Sequence, residues 1–388
     1  MIVYDTKILD NEILVAEVDN LYKGGFLSKE QKKFINKELP VFKSQNNILV
    51  RVGFFLLGSF LYASVCGAIS LFALGGADSF FKICCYIFAV VGFVGAELLA
   101  NQNYHNHGLD DAFIVGAVLN VGFAIGITTD GYESVIAFFM AVASLYMFLR
   151  YLHLLSMLIF CLSITGFLFF QMFEFGEFGK AILPFTVMIF AVVFYFLTKK
   201  LIGRITKKYY YNGLLLANSF CLVLFYLSCN YLVVRELSAE LLGTEVKPGT
   251  DIPFAFFFYG FTFVVPIIYL VQALRTKDRI MLWISFLAIG FSIYTIRFYY
   301  AVLPVEVALT LGGLVLFAIA YFSIKKLKEK ESGLTFKADR INHSDSILNA
   351  EALVVASTFG MKPEVKPQDS PMEFGGGGFS GGGSGESF

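Results

Sequence analysis

Two histidines and two aspartates, His105, His107, Asp110 and Asp111, crowd the end of the stretch ELLANQNYHNHGLDD that runs from Glu97 to Asp111. Imidazole and carboxylate are the side chains that exchange protons near neutral pH and ligate divalent metals. A metal would need further ligands in tetrahedral or octahedral array, and this spacing matches no such set, so no metal and no cofactor is expected. Asp110 reads equally well as an N-cap for the helix that follows. Glu97 lies inside an apolar stretch, its Cα about 6 Å from the end of that stretch at the helical rise. Burying an unpaired carboxylate in a membrane is expensive, which makes Glu97 a candidate for substrate or proton handling. The structural alternative has it pointing into the bundle and hydrogen-bonding the following turn or the next span. Asn120, in the middle of that next span, is expected to act as interhelical hydrogen-bond glue.

Other reactive groups lead elsewhere. Arg297 and Glu306 flank one short turn and are expected to neutralise each other there as a structural ion pair. His153 reads as an interfacial residue. The six cysteines all fall in apolar stretches without metal spacing and read as buried small hydrophobes rather than disulfides. Gly378-Phe379-Ser380-Gly381-Gly382 matches the G-x-S-x-G elbow in letters only, since a glycine-rich tail offers no strand–turn–helix context. Asn342-His343-Ser344 is a glycosylation sequon on the side expected to be cytoplasmic, where it has no meaning. Walker, Rossmann and zinc-protease motifs are absent. No catalytic residues, and no enzymatic activity, are expected.

The elements that must position these groups are apolar helices. Hydrophobic residues make up 57% of the 388 and charged residues 15%, a balance typical of membrane chains and not of soluble domains. The apolar residues fall in stretches near the roughly 20 residues needed to cross a bilayer core. Ten spans are predicted, at 49–74, 80–100, 111–128, 133–149, 152–172, 181–198, 212–234, 252–273, 280–298 and 303–324. Basic residues gather in alternate loops: Lys199, Lys200, Arg204, Lys207 and Lys208 after span six, and Arg275, Lys277 and Arg279 after span eight. Span ten runs into Lys325, Lys326, Lys328 and Lys330, and the head is also rich in lysine. The positive-inside rule then places both termini in the cytoplasm. Pro184, Pro253 and Pro304 are expected in the first turns of spans entering from outside, and Pro266 is expected to kink span eight.

Small residues repeat every fourth position on spans one (Ser59, Ala63, Gly67), two (Gly92, Ala96, Ala100) and three (Ala112, Gly116, Asn120, Ala124). Such stripes let helices approach closely in lipid, so spans one to three are expected to form a tight core. No internal repeat stands out, and the matching broken helices of an inverted-repeat transporter are not apparent. Residues 1–47 read as a helical-hairpin head on the membrane surface. Its apolar positions are Leu9, Ile13, Leu14, Val18 and Leu21, and Ser28 with Gln31 forms a capping box. The head carries no apolar core segment or cleavage site of a signal peptide, so the first span is expected to target the chain. Residues 48–325 form the membrane domain. Residues 326–388 form a cytoplasmic tail, with a short amphipathic helix at 344–357 and a flexible glycine-rich end.

One resemblance extends these expectations. Over residues 17–75, an acidic-apolar helix, then GGFLSKEQKKFI, a polar link and a Gly- and Phe-rich first span resemble the bacterial membrane-protein family called domain of unknown function 2157. GAELLANQNYHNHGLDDAF, with glutamate near the end of span two, is similar to its polytopic members. The likeness covers the first third of the chain. It implies a bacterial inner-membrane protein of unknown activity and carries over no catalytic residue.

These readings favour a non-enzymatic structural, sensory or assembly component whose partners are the lipid bilayer and either another membrane protein or copies of itself. A zero net charge gives no reason to expect nucleic acid. The competing classes are a small-molecule or lipid transporter with a site near Glu97, and an intramembrane enzyme in which the histidines and aspartates converge on Glu97.

Overall fold

The computed structural model describes residues 2–23, 26–71, 78–205, 208–242 and 251–299, with single residues 307, 310, 314, 317, 321, 322 and 325. Among these, α1 (Thr6–Lys23) and α2 (Lys29–Glu38) precede α3 (Ile48–Leu71), α4 (Asp78–Asn101), α5 (Leu109–Thr128) and α6 (Glu133–Tyr151). The chain continues through α7 (Leu154–Glu174), α8 (Gly176–Arg204), α9 (Tyr211–Cys229), α10 (Tyr231–Leu242), α11 (Ala255–Thr276) and α12 (Arg279–Tyr299). Nine of these helices, α3 to α9 with α11 and α12, are long and apolar enough to cross a membrane. The chain is an all-α, multi-pass membrane protein. Predicted span ten, apart from those single residues, Pro304, the Arg297–Glu306 pairing and the tail lie outside the described residues.

The chain divides into two compact units, with the division inside α1. Among the described residues, those up to 12 and from 40 onward belong to the bundle unit, and residues 13–39 belong to the other. In the latter, the Ser28 hydroxyl accepts from the Gln31 N–H, and the Gln31 side chain accepts from the Ser28 N–H, which completes the capping box of α2.

Helix α5 is the hub of the first half, with α3, α4 and α6 packed around it and its first ten residues almost wholly buried. Small residues set the approach distances. A Cβ on Gly92 of α4 would stand 2.8 Å from the Cα of Ala117 in α5, so only glycine allows that crossing. On α3, the stripe Ser59-Ala63-Gly67 is not the packed face, which corrects the expectation: Ala63 and Gly67 are exposed. The packed face lies one residue over, at Gly58 and Tyr62. Gly58 meets Ala112, and the Tyr62 ring fills the notch left by Gly116. A large ring set into a glycine notch buries more area than two small residues in contact, so the small stripe on α3 was the wrong guide.

Other boundaries also differ. Helix α8 starts at Gly176, so Pro184 sits inside a helix rather than in its first turn. Predicted span seven is two helices: α9 stops at Cys229, and α10 restarts at Tyr231 with Asn230 between them. Pro253 lies just ahead of α11, and Pro266 is buried within it. Proline has no N–H to offer the Thr262 carbonyl one turn back. That carbonyl instead accepts from the Ser292 hydroxyl of α12 at 2.6 Å. All six cysteines are free, and five of them are buried.

Candidate functional site

Glu97 points into the bundle, and its partner is not the one expected from the sequence. Its carboxylate accepts from the Arg150 guanidinium at 3.0 and 2.5 Å, a two-pronged geometry, and from the Tyr151 hydroxyl at 2.8 Å. Both partners close the last turn of α6, so the contact ties span two to span four rather than to Asn120 or the following turn. Rigid two-pronged pairing is the strongest arrangement available to a carboxylate and an arginine. The guanidinium also lies over the Phe93 ring. The pair keeps about a quarter of its side-chain surface exposed, 27% for Glu97 and 24% for Arg150. It therefore sits at the boundary of the bundle, not deep within it.

The turn from α4 to α5 is built by residues that tolerate a left-handed backbone. Asn103, Asn106 and Gly108 have φ of 62°, 54° and 107°, which only Asn, Asp and Gly adopt readily. A side chain at Gly108 would also run into the Arg51 carbonyl of α3. The link ahead of α3 straps this turn down: the Lys43 N–H donates to the Asn103 carbonyl at 2.8 Å and the Gln45 N–H to the Asn106 carbonyl at 3.2 Å. The N-terminus closes over the same place. Tyr4, Phe42 and His105 form an edge-to-face aromatic trio, and the Val3 N–H donates to the Arg150 carbonyl.

Within this cap the histidines and aspartates go to separate partners. Asp110 is not the N-cap, which is Gly108. It stands one residue inside the helix and reaches back, accepting from the N–H groups of His107 and Gly108 at 3.0 Å each. This satisfies the N–H groups of the N-cap and the residue before it, which have no intrahelical partner. Asp111 accepts from Arg51 Nε at 2.6 Å. Its other oxygen lies 3.2 Å from His153 Nε2, within ion-pair range but out of hydrogen-bond alignment. His153 is buried rather than interfacial, and its Nδ1 accepts from the Ser156 N–H to cap α7. An accepting Nδ1 leaves Nε2 to carry the proton that faces Asp111.

Arg51 also donates to Asn106 Oδ1 at 3.1 Å, which turns the Asn106 amide N–H₂ toward His105 Nε2 at 3.0 Å. A ring nitrogen that accepts belongs to a neutral imidazole. Burial agrees, pushing the His105 pKa down to about 4, with Asp111 pulling it up and His153 and Arg51 pushing it further down. His107 packs between Phe54 and Tyr104 instead, and its Nδ1 is buried without a hydrogen-bond partner. Among the described residues no three His, Cys, Asp or Glu side chains gather closely enough to hold a metal ion. Asn120 donates to the Tyr62 hydroxyl at 2.9 Å, and that hydroxyl donates to the Phe88 carbonyl at 2.7 Å, so α5, α3 and α4 are joined in series. Arg297 is exposed on α12.

A second polar cluster, not anticipated from the sequence, surrounds the break at Asn230. The fully buried Asn230 amide donates to the Tyr226 hydroxyl at 3.0 Å and to Thr295 at 3.2 Å, and its oxygen accepts from the Val233 N–H at the start of α10. Tyr226 also bonds Ser292, and the Thr262 hydroxyl accepts the Tyr231 N–H. Beside it, Tyr231 stacks on Tyr259 and bonds both Arg235 and Asp251. The available signal was polar residues recurring one turn apart in apolar helices, Ser292 with Thr295 and Tyr226 with Asn230. In the first half it was two arginines, Arg51 and Arg150, each within a turn of the end of an apolar span.

Among the described residues, nine helices long and apolar enough to cross a bilayer, cross-linked by paired polar side chains, define a multi-pass α-helical membrane protein in a lipid bilayer. Compared with protein-family models, curated proteins and solved structures, the chain matches none.

Proposed function

We propose that this protein is a non-enzymatic structural, sensory or assembly component of the bacterial cytoplasmic membrane, with the basic ends of its spans facing the cytoplasm. The inner-membrane placement rests on the resemblance to domain of unknown function 2157 and on the basic loops. The observation that carries the functional reading is the Glu97 carboxylate, held by Arg150 and Tyr151 of another span. A carboxylate fixed by two cross-span partners is a brace between helices. Separate anchoring of His105, His107, Asp110 and Asp111 supports the same reading, since acid–base or metal chemistry would need them to converge. Its partners are the bilayer and either another membrane protein or a second copy of the chain.

The test is an acid jump on proteoliposomes loaded with a pH-sensitive dye. The brace reading expects equal proton entry with the native chain and with Glu97→Gln. Native entry that Glu97→Gln abolishes, with the fold retained, would overturn it. The second reading is a small-molecule or lipid transporter with a site near Glu97. Its supporting observations are the partial exposure of the Glu97–Arg150 pair and the helix break at Asn230.

A further inference from the structure

Helix α2 holds four lysines, and they do not share one role. Lys32 turns inward within the hairpin, pairing with Asp19 of α1 at 2.8 Å and lying over the Tyr22 ring. The other three, Lys29, Lys33 and Lys37, recur every fourth residue, so they form one row along the helix, and all three are exposed. Beside that row stands Phe34, 66% exposed, and at the turn leading into the helix stands Phe26, 80% exposed. The Phe26 N–H bonds back to the Leu21 carbonyl, which brings this ring to the end of α1, where Leu21 is also exposed. Helix α2 buries none of its residues.

Exposed aromatic rings flanked by a row of lysines have the chemistry of a helix lying in a headgroup layer. The rings enter the acyl boundary and the ammonium groups remain at phosphate level. Chain length keeps that surface within reach. Nine residues (39 to 47) separate the end of α2 at Glu38 from the start of α3 at Ile48. Fully extended, such a link spans at most about 30 Å. We infer that the 13–39 hairpin is a lipid-binding module that docks on anionic headgroup phosphates through Lys29, Lys33 and Lys37 and inserts Phe26 and Phe34. The inference rests on the membrane-spanning fold and is independent of whether Glu97 is a brace or a site.

The experiment uses the full chain in proteoliposomes, with Trp283→Phe removing the single native tryptophan and Phe34→Trp placing a reporter at an exposed position. Vesicles of one-third phosphatidylglycerol in phosphatidylcholine are compared with phosphatidylcholine alone, each with and without acyl-brominated lipid. In the anionic vesicles the indole should be blue-shifted, quenched by bromine and shielded from iodide. Raising the salt, or combining Lys29→Glu, Lys33→Glu and Lys37→Glu, should reverse all three signals. Bromine quenching that is equal in both vesicles and indifferent to the lysines would overturn the phosphate recognition. An indole open to iodide and insensitive to bromine in both would overturn lipid docking altogether and point to a protein occupant.

Discussion

The two halves of the bundle solve the same problem with different chemistry. Around α5 the strongest cross-links are charged, Glu97 with Arg150 and Asp111 with Arg51, and the neutral Asn120–Tyr62 link runs beside them. Around α9, α11 and α12 they are neutral, carried by Tyr226, Asn230, Thr262, Ser292 and Thr295. Position along the helices explains part of the division, since Tyr226, Asn230 and Thr295 also stand near helix ends while Thr262 and Ser292 lie deeper. The charged groups all stand within about one turn of a helix end, where an ordered turn and nearby water share the cost of the charge. Thr262, by contrast, is the eighth residue of α11, about 10 Å from its start at the helical rise. Groups at that depth can be amides and hydroxyls but are not easily ions. Charge is confined to helix ends, and neutral polar groups serve both the ends and the interior.

The division can be broken by moving charge to the wrong place. Asn230→Asp introduces an acid at a fully buried site whose neighbours are hydroxyls. It should lower unfolding stability in detergent by about 3–5 kcal/mol, and a loss below about 1 kcal/mol would mean water already reaches that site. Removing charge where it belongs comes next. Arg51→Met strands the buried Asp111 with His153 alone and should cost about 3 kcal/mol, read as a lower melting temperature that Asp111→Asn partly restores.

Acid should unlock the cap by a smaller amount. With its folded pKa near 4, His105 is neutral in the cap but titrates near its ordinary value when the cap opens. The open state then binds more protons between these two values, so this contribution is fully present above pH 6.5 and is lost as pH falls toward 4. The loss should be on the order of 2 kcal/mol, and His105→Phe should flatten the dependence of melting temperature across that window. Ser292→Ala, which frees the Thr262 carbonyl beside Pro266, should have the smallest effect, about 1 kcal/mol, in the same assay.

Much of the architecture was legible because a bilayer imposes length and hydrophobicity on each crossing. The predicted start at 49 and end at 298 fall within a residue of Ile48 and Tyr299. The break at Asn230 was hidden because neither glycine nor proline marks it. An asparagine that accepts a cap bond and donates to two helices does the work instead. The site was half legible. Glu97 and the turn residues stand out as polar groups in apolar surroundings, but Arg150 lies 53 residues from Glu97 and Arg51 lies 60 from Asp111. Pairings over such distances are set by helix packing, and no local pattern encodes them. Asp110 was misjudged as the N-cap: it lies two residues beyond the cap at Gly108, and a carboxylate inside the first turn can also fold back onto the N–H groups ahead of the helix.

The central claim, that Glu97 is a brace between spans two and four, is tested most directly by a double-mutant cycle of Glu97→Gln and Arg150→Gln in the reconstituted protein. Each single change should destabilise by about 1–3 kcal/mol, and the double change should cost clearly less than the sum, leaving a coupling of at least about 1 kcal/mol. Strict additivity, with Glu97→Gln nearly silent by itself, would show that the carboxylate does not depend on Arg150 and would contradict the account.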